Sequence, residues 1–154
     1  MAWITPKTDW TNEYDEEGHF TGDFFSFTDY NRIKNNLAIL HDMAEQMFYP
    51  IPEFDLGDDK HQYDPAHPDY DNDNFFADEF NAIEDGLQAI DDAIPFIDFG
   101  EKQTFTDNGR FIDYIELNRI ESAELRLYGL INNAITGKLR LQLTLGMREH
   151  DIRV

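Results

Sequence analysis

Cysteine is absent from this 154-residue chain, and cations are scarce. The lack of cysteine excludes disulfides, thiolate catalysis and thiolate-bound zinc. The chain has 12 lysines and arginines and 32 aspartates and glutamates, so its formal net charge is −20. Because nucleic acids and anionic membranes attract basic proteins, we expect neither as a direct partner. No apolar run reaches the roughly 18–20 residues that a membrane span needs.

The chain is nevertheless rich in groups that build a core. Hydrophobic residues make up 41% of it, and phenylalanine alone occurs 13 times. Each aromatic ring removes a large area from water when it is buried, and a chain of this length can enclose a core. We therefore expect one folded domain with an acidic surface, suited to a basic partner or a divalent cation.

Three stretches have apolar residues at three- and four-residue steps, the spacing of an amphipathic helix. They cover residues 28–48, 75–94 and 111–136. Ser26 or Thr28 is expected to cap the first helix, with Asp29 near its positive end. Gly137 is expected to end the third helix, and the Asp107-Asn108-Gly109 sequence predicts a turn before it.

The remaining segments complete the predicted fold class, which is mainly α with an extended N-terminal arm and a short C-terminal β-strand. Residues 1–26 form the arm, residues 27–136 the three-helix body with an acidic loop at 53–74, and residues 137–154 a tail. In the tail, leucines from Leu139 to Leu145 alternate with polar residues, which predicts a half-buried strand. Its edge would pair with a piece near residue 100, with the arm or with another subunit.

One pattern recurs at the start of each predicted helix, in register on Asn31, Asn81 and Asn118. An acid lies two positions before each Asn, an apolar residue lies directly before it, and an Ile follows two positions later. Asn is a mediocre helix former, so we expect its side chain to bind the backbone of an adjoining segment. Arg32 and Arg119 are expected to hold an acidic arm or a neighbouring helix. The alternative is a chance likeness between amphipathic helices.

The first part of the chain resembles a known class of protein. The segments concerned are Trp3-Ile4-Thr5-Pro6-Lys7-Thr8-Asp9-Trp10, the stretch from Asp23 through Asn31-Arg32-Ile33 to Leu37, and Leu117-Asn118-Arg119-Ile120-Glu121. They are similar to segments of small tail or baseplate structural proteins of phages and prophages of Gram-positive bacteria. The resemblance implies a virion protein, assembled in the host cytoplasm in a symmetric homo- or hetero-oligomer with other virion proteins. It brings no catalytic residues.

The sequence thus favours a non-enzymatic adaptor or peripheral subunit of a tail, baseplate or neck. The alternative is an acidic inhibitor that imitates DNA, such as an anti-restriction protein. The residues predicted to anchor interfaces are Trp3, Trp10, Tyr30, Asn31, Arg32, Asn118, Arg119, Leu141 and Leu143. The arm that carries the two tryptophans packs either on its own domain or into a neighbour.

Chemical sites are sparse. Asp69, Asp71 and Asp73 have the spacing that begins a calcium loop, but Asn74 replaces the glycine of that loop and Phe80 replaces its glutamate. A solvated acidic loop is the alternative. The two histidines of the loop, His61 and His67, match no zinc spacing. The chain has no nucleophile elbow and no phosphate loop, and we predict neither catalysis nor a required cofactor.

Overall fold

The computed structural model describes residues 2–47, 49–62, 64–66, 74–94 and 98–151. Three helices form in this part of the chain: α1 at Phe27–Gln46, α2 at Ala77–Ala93 and α3 at Tyr114–Asp151. They pack together, so the predicted mainly α fold is confirmed. The described residues contain no strand, only one isolated antiparallel bridge in the arm, between Tyr14 and Phe20. None of the described helices has the length and apolarity to cross a membrane.

Polar groups fix the start of each helix. Ser26 caps α1 and exchanges hydrogen bonds with Asp29, whose carboxylate accepts from the Ser26 N–H at 3.0 Å. The N-cap of α2 is Phe76, which has no acceptor; Glu79 instead accepts from the Phe76 N–H at 2.9 Å. Asp113 accepts from two N–H groups in the first turn of α3, at 2.8 and 3.4 Å. The predicted cap at Ser26 is confirmed.

The three helices run in the same direction. Their entry segments meet, because the ring centroid of Phe75 lies 5.1 Å from that of Phe25 and 6.3 Å from that of Phe111. Further along, Leu37 of α1 lies against Gly86 of α2, where a Cβ would come within 3.0 Å of the leucine side chain. The starts of the three helices therefore lie together, and the middle of α1 lies beside the middle of α2, as in parallel helices. Helices in this arrangement need long connections, which are the segments between them.

These connections contribute to the core as well as crossing its surface. Each helix buries its apolar stripe, and the segments add further buried apolar side chains, among them Trp10, Ile51, Phe99, Phe105 and Ile112. The predicted turn at 107–109 is confirmed: Asn108 has φ 59°, and the Gly109 N–H donates to the Thr106 carbonyl at 2.9 Å.

The predicted C-terminal strand is wrong, because α3 continues through Gly137 to Asp151. Gly137 is not among the described glycines with positive φ, so it lacks the geometry of a helix C-cap. Leucines at every second position also recur at every fourth position, which fits the spacing of a helix. The Leu, Lys, Arg and Gln residues of this stretch are good helix formers. A helix satisfies its own backbone, whereas a lone strand would leave its edges unpaired. The boundary predicted between residues 136 and 137 falls inside α3.

Candidate functional site

The three repeated asparagines all bind backbone, as predicted. Each side-chain amide accepts from the N–H and donates to the C=O of one residue in an extended segment. The pairs are Asn118 with Trp10, Asn31 with Lys60 and Asn81 with Phe105, at distances of 2.7–3.0 Å. We call these pairs the asparagine clamps. Each gives the N–H and C=O of one residue, which are partly buried, the hydrogen bonds that they would otherwise lack.

The clamps follow a cyclic order. Asn31 of α1 holds the segment that leads into α2, and Asn81 of α2 holds the segment that leads into α3. Asn118 of α3 closes the circle, because it holds the segment that leads into α1. The body is therefore an approximate three-fold arrangement of helix and preceding segment. This order makes the repeat a structural feature, and chance likeness of amphipathic helices does not explain it.

Each segment lies in the groove between two helices. Ile4, six residues before Trp10, exchanges two hydrogen bonds with Asn36 of α1 at 3.1 and 2.7 Å. Phe54, six residues before Lys60, lies against Gly86 of α2, where a Cβ would come within 3.1 Å of its ring. The clamp holds one end of a segment to one helix, and the other end packs against the next helix.

A buried ion pair joins α1 to α3. The guanidinium of Arg32 donates to both oxygens of Glu121, at 3.0 and 2.7 Å. Glu121 is fully buried and also accepts from the Lys7 N–H at 2.6 Å and the Trp10 indole N–H at 2.8 Å. Four donors thus compensate for the desolvation of this carboxylate. The arm, α1 and α3 all meet at Glu121.

A second buried pair joins α3 to α2 in the same way. Arg119 donates to Glu84, which is almost fully buried. Burial raises the pKa of Glu84, and the charge of Arg119 opposes that rise. Both arginines directly follow a clamp asparagine, and both glutamates lie three positions after one. Arg32 and Arg119 therefore each hold a neighbouring helix, which is one of the two roles predicted for them.

The third pair of the cycle is absent, and both of its members are changed. Ala82 of α2 occupies the position of the arginines, and Lys34 of α1 occupies the position of the glutamates. Lys34 is buried, pairs with Asp59 at 2.5 Å and donates to the Gly57 carbonyl at 2.9 Å. Because the arginine and its acid are lost together, no buried glutamate is left without a cation at this point of the cycle.

Glu124 breaks the pattern of the core. It lies six positions after Asn118, where the other two repeats have Leu37 and Leu87. Its side chain is fully buried, and neither carboxylate oxygen has a hydrogen-bond partner of good geometry. Burial, reinforced by the nearby charge of Glu121, raises the pKa of Glu124 well above its usual range. Its surroundings therefore favour the protonated form of this carboxyl group.

Exposed aromatic side chains gather where the three helices begin. Phe24 is 78% exposed and Phe111 is 52% exposed, and Phe76 and Tyr114 are also exposed. Phe76 and Phe111 line a groove of about 570 Å³. Phe24, Phe111 and Tyr114 line a second groove of about 270 Å³ on the other side of Phe111. We call these four residues the end surface, which is a cluster of exposed aromatic rings beside two grooves.

Comparison with known proteins finds no family model, no curated protein and no solved structure that matches this chain.

Most of the residues predicted to anchor interfaces instead contact other parts of their own chain. Trp3 stacks on Tyr128 with ring centroids 4.0 Å apart, and Trp10 and Tyr30 are buried. The arm thus packs on its own domain, one of the two alternatives. Leu141 is 60% exposed on α3, and the side chain of Leu143 lies outside the description.

The possible metal ligands stay scattered. The predicted calcium ligands Asp69, Asp71 and Asp73 lie outside the described residues, as does His67. Within them, two groups bring three ligand atoms close together: Asp15, Glu17 and His19 in the arm, and His41, Asp42 and Glu45 on α1. Five of these six side chains are exposed, and such clusters are common on acidic proteins. They carry no metal assignment.

Sequence reasoning missed the end surface and the buried glutamates. One available signal was the aromatic residue seven positions before a clamp asparagine, which is Phe24 in the first repeat and Phe111 in the third. Another was the acid three positions after Asn81 and Asn118. Extending the repeat in both directions from the asparagine would have found both.

Proposed function

We propose that this chain is a non-enzymatic structural protein of a phage virion, an adaptor or peripheral subunit of a tail, baseplate or neck. It acts through protein–protein contacts. The observation that carries the proposal is the end surface, where exposed Phe24, Phe76 and Phe111 border two open grooves. Exposed clustered aromatic rings are typical of sites that a partner covers.

The segments that resemble phage proteins support the proposal because of what they do in the fold. The stretch from Trp3 to Trp10 is the first clamped segment, bound by Asn36, Asn118 and Glu121. The Asn31-Arg32 pair provides one clamp and one buried ion pair. These motifs therefore specify a rigid framework. A framework that holds a surface in place is what an assembly component requires.

The two buried glutamate–arginine pairs serve the same framework. Arg32 pairs with Glu121, and Arg119 pairs with Glu84, so these groups join helices and line neither groove of the end surface. Glu84 and Arg119 do line a crevice, but its volume is only about 10 Å³. A tuned acid–base pair would need two titratable groups directed into an accessible pocket. Contact between surfaces is the activity that this arrangement favours.

Mass spectrometry of purified particles tests the proposal. We expect the chain in intact virions at a fixed copy number, which should be a multiple of the rotational symmetry order of the tail or neck. Its presence only in the cytosol of infected cells, with none in particles purified through a density gradient, would rule out a virion role.

The net charge of −20 favours a second candidate, an acidic inhibitor that imitates DNA. Such a protein presents carboxylates where a partner expects phosphates, so its binding weakens steeply as salt rises. Capture of a DNA-handling protein by the immobilised chain at low salt, and its release near 0.5 M salt, would support this function. Capture of virion proteins that persists in high salt would support the first.

A further inference from the structure

The turn before α3 contains a chemically reactive pair of residues, Asn108 and Gly109. No other asparagine of the sequence is followed by glycine. Asparagine is a labile residue because the backbone nitrogen of the next residue can attack its side-chain amide. Glycine in that next position makes the attack easiest, since it has no Cβ in the way and the widest choice of backbone angles. Residues 106–110 are all exposed, so water reaches this turn.

The fold requires both members of the pair. Asn108 has φ 59°, a conformation that asparagine adopts more readily than most residues with a side chain. A Cβ on Gly109 would lie 2.9 Å from the carbonyl oxygen of Thr106, closer than real Cβ atoms approach a neighbour, so this position requires glycine. The geometry of the turn therefore keeps a labile asparagine directly before a glycine.

One hydrogen bond restrains the attacking group. The Gly109 N–H donates to the Thr106 carbonyl at 2.9 Å, so this nitrogen is engaged while the turn is closed. An exposed turn opens locally at a small cost in free energy, because few buried contacts hold it. The folded chain therefore reaches the reactive geometry whenever the turn opens, without global unfolding.

We propose that Asn108 is a site of spontaneous deamidation and isoaspartate formation in the folded chain. The Gly109 nitrogen loses its proton and attacks Cγ of Asn108. The bond from Cγ to the amide nitrogen breaks, and ammonia leaves with a proton, which closes a cyclic succinimide. Water then opens the ring at one of its two carbonyl groups. Opening at Cγ gives aspartate, and opening at the main-chain carbonyl gives isoaspartate. One water is consumed, one ammonia is released, and nothing is oxidised or reduced.

The clamp asparagines are internal references for this reaction. Asn31, Asn81 and Asn118 each lie in a helix, and their side-chain amides are held by two hydrogen bonds to an extended segment. The residue after each is arginine or alanine, and its backbone nitrogen belongs to the hydrogen-bonded helix. We expect these three residues to stay intact while Asn108 reacts.

The modification changes the larger groove of the end surface. Asn108 and Arg110 both line that groove, and either product replaces a neutral amide with a carboxylate beside Asp107. The added negative charge weakens the positive character that Arg110 gives to this part of the groove. The groove therefore differs chemically between newly made and aged copies of the chain.

Isoaspartate changes the backbone as well as the charge. Its main chain runs through Cβ and Cγ, so the connection between Phe105 and Ile112 becomes longer by one carbon. Asn81 holds Phe105, and Ile112 is buried, so both ends of the connection are fixed. The added length must bulge at the surface and weaken the turn. This inference goes beyond the proposed function and does not depend on it.

Peptide mapping by mass spectrometry tests the proposal on the folded full-length chain, kept at mildly alkaline pH and sampled over weeks. We expect the mass increase of deamidation at Asn108, with isoaspartate detected by methylation with protein isoaspartyl methyltransferase. The rate should rise about tenfold per pH unit, because the attacking nitrogen must first lose its proton. The unfolded chain in guanidinium chloride should react about twofold to tenfold faster, the factor that one backbone hydrogen bond is worth.

Two variants serve as controls. Asn108→Gly has no side-chain amide and accepts positive φ, so it should fold like the wild type by circular dichroism and form no isoaspartate in this turn. Freshly purified Asn108→Asp has the charge of the products without the longer backbone. It should melt close to the wild type, whereas the isoaspartate fraction of aged wild type, separated by ion exchange, should melt at a lower temperature.

Two results would overturn the inference. A folded chain that keeps Asn108 intact, while the chain in guanidinium chloride loses it, would show that the turn does not open far enough for the attack. Conversion of Asn31, Asn81 or Asn118 in the folded chain as fast as Asn108 would show that the turn gives Asn108 no special reactivity. Neither result bears on whether the chain is present in virions.

Discussion

The side-chain amide of Asn118 exchanges two hydrogen bonds with the backbone of Trp10, although the two residues are 108 positions apart in the chain. The first extended segment is thereby attached to the last helix. Asn31 and Asn81 make the same exchange. In this fold, side-chain amides thus pair with the backbone of extended segments, which a neighbouring strand would do in a β-sheet. Stability should depend on these three amides more than on surface polar contacts.

Replacing any clamp asparagine by alanine tests this directly. Asn31→Ala, Asn81→Ala and Asn118→Ala each remove two hydrogen bonds and leave a partly buried peptide group unpaired. We expect each to lower the free energy of unfolding by about 1–3 kcal/mol in urea titrations. Asn35→Ala is the matched control, because the Asn35 amide makes only an exposed contact with Asp59 at 3.4 Å. Its cost should stay below about 0.5 kcal/mol, and an equal cost at both kinds of site would contradict the clamp.

Glu124→Leu should stabilise the protein at neutral pH. The substitution installs the residue that the other two repeats have at this position and removes a buried acid without a partner, which costs about 1–3 kcal/mol. The folded-state pKa of Glu124 is raised, so wild-type stability falls as pH rises from the unfolded value toward the folded one. The advantage of the variant should therefore shrink when pH is lowered to about 4, below the unfolded pKa of a glutamate near 4.3.

Thermal melts of the variant and the wild type at pH 4 and pH 7.5 measure this dependence. Glu121→Gln is the control on the same helix, because its carboxylate has four donors around it. That variant should destabilise the protein at pH 7.5, since Arg32 would lose one of its two carboxylate partners and keep only Asp29. A gain for Glu124→Leu that was equal at both pH values would show that burial does not raise the pKa of Glu124.

The sequence was sufficient for the features that depend on local spacing. It predicted three helices, a cap at Ser26 or Thr28, the turn at Asn108 and the backbone-binding role of the asparagines. It failed for the C-terminal segment, because leucines at alternate positions satisfy helical spacing as well. It also missed the buried Glu121 and the exposed Phe111, since charge and aromaticity alone do not reveal which side of a fold a residue occupies. Those features depend on contacts between distant segments.

Glycine substitutions test whether α3 continues beyond residue 136. A helical Gly137 has open space around the position of a Cβ, as has Gly129 earlier in the same helix. Gly137→Ala and Gly129→Ala should therefore each stabilise the helix by about 0.5–1 kcal/mol and leave helical content unchanged or higher. Had Gly137 ended the helix with positive φ, alanine there would instead cost stability.

Gly100→Ala provides the contrast for these two variants. Gly100 has φ +80°, and a Cβ at this position would lie 2.9 Å from Cδ of Arg119, the residue that holds Glu84. We expect this variant to be less stable than the wild type, because the backbone conformation is unfavourable for alanine and the ion pair is disturbed. A rise in melting temperature at Gly100 together with a fall at Gly137 would reverse both assignments.

The missing ion pair of the cycle can be restored to test the three-fold relationship. By the cyclic order, an arginine in place of Ala82 should reach the position of Lys34, as Arg32 reaches Glu121 and Arg119 reaches Glu84. Lys34→Glu alone should destabilise the protein by about 3–5 kcal/mol, because it buries an acid beside Asp59 without a cation. Ala82→Arg alone should be close to neutral or mildly destabilising, since Lys34 repels it.

The double variant tests whether positions 82 and 34 are equivalent to the two existing ion pairs. If the two positions are equivalent to the existing pairs, Lys34→Glu with Ala82→Arg should recover a large part of the loss, with a coupling free energy of at least about 1 kcal/mol in a double-mutant cycle. Lys34→Glu with Asn132→Arg is the control, because Asn132 is an exposed residue of α3 and adds the same charge outside the cyclic pattern. Equal recovery in both doubles would mean that net charge, and not the cyclic geometry, governs the effect.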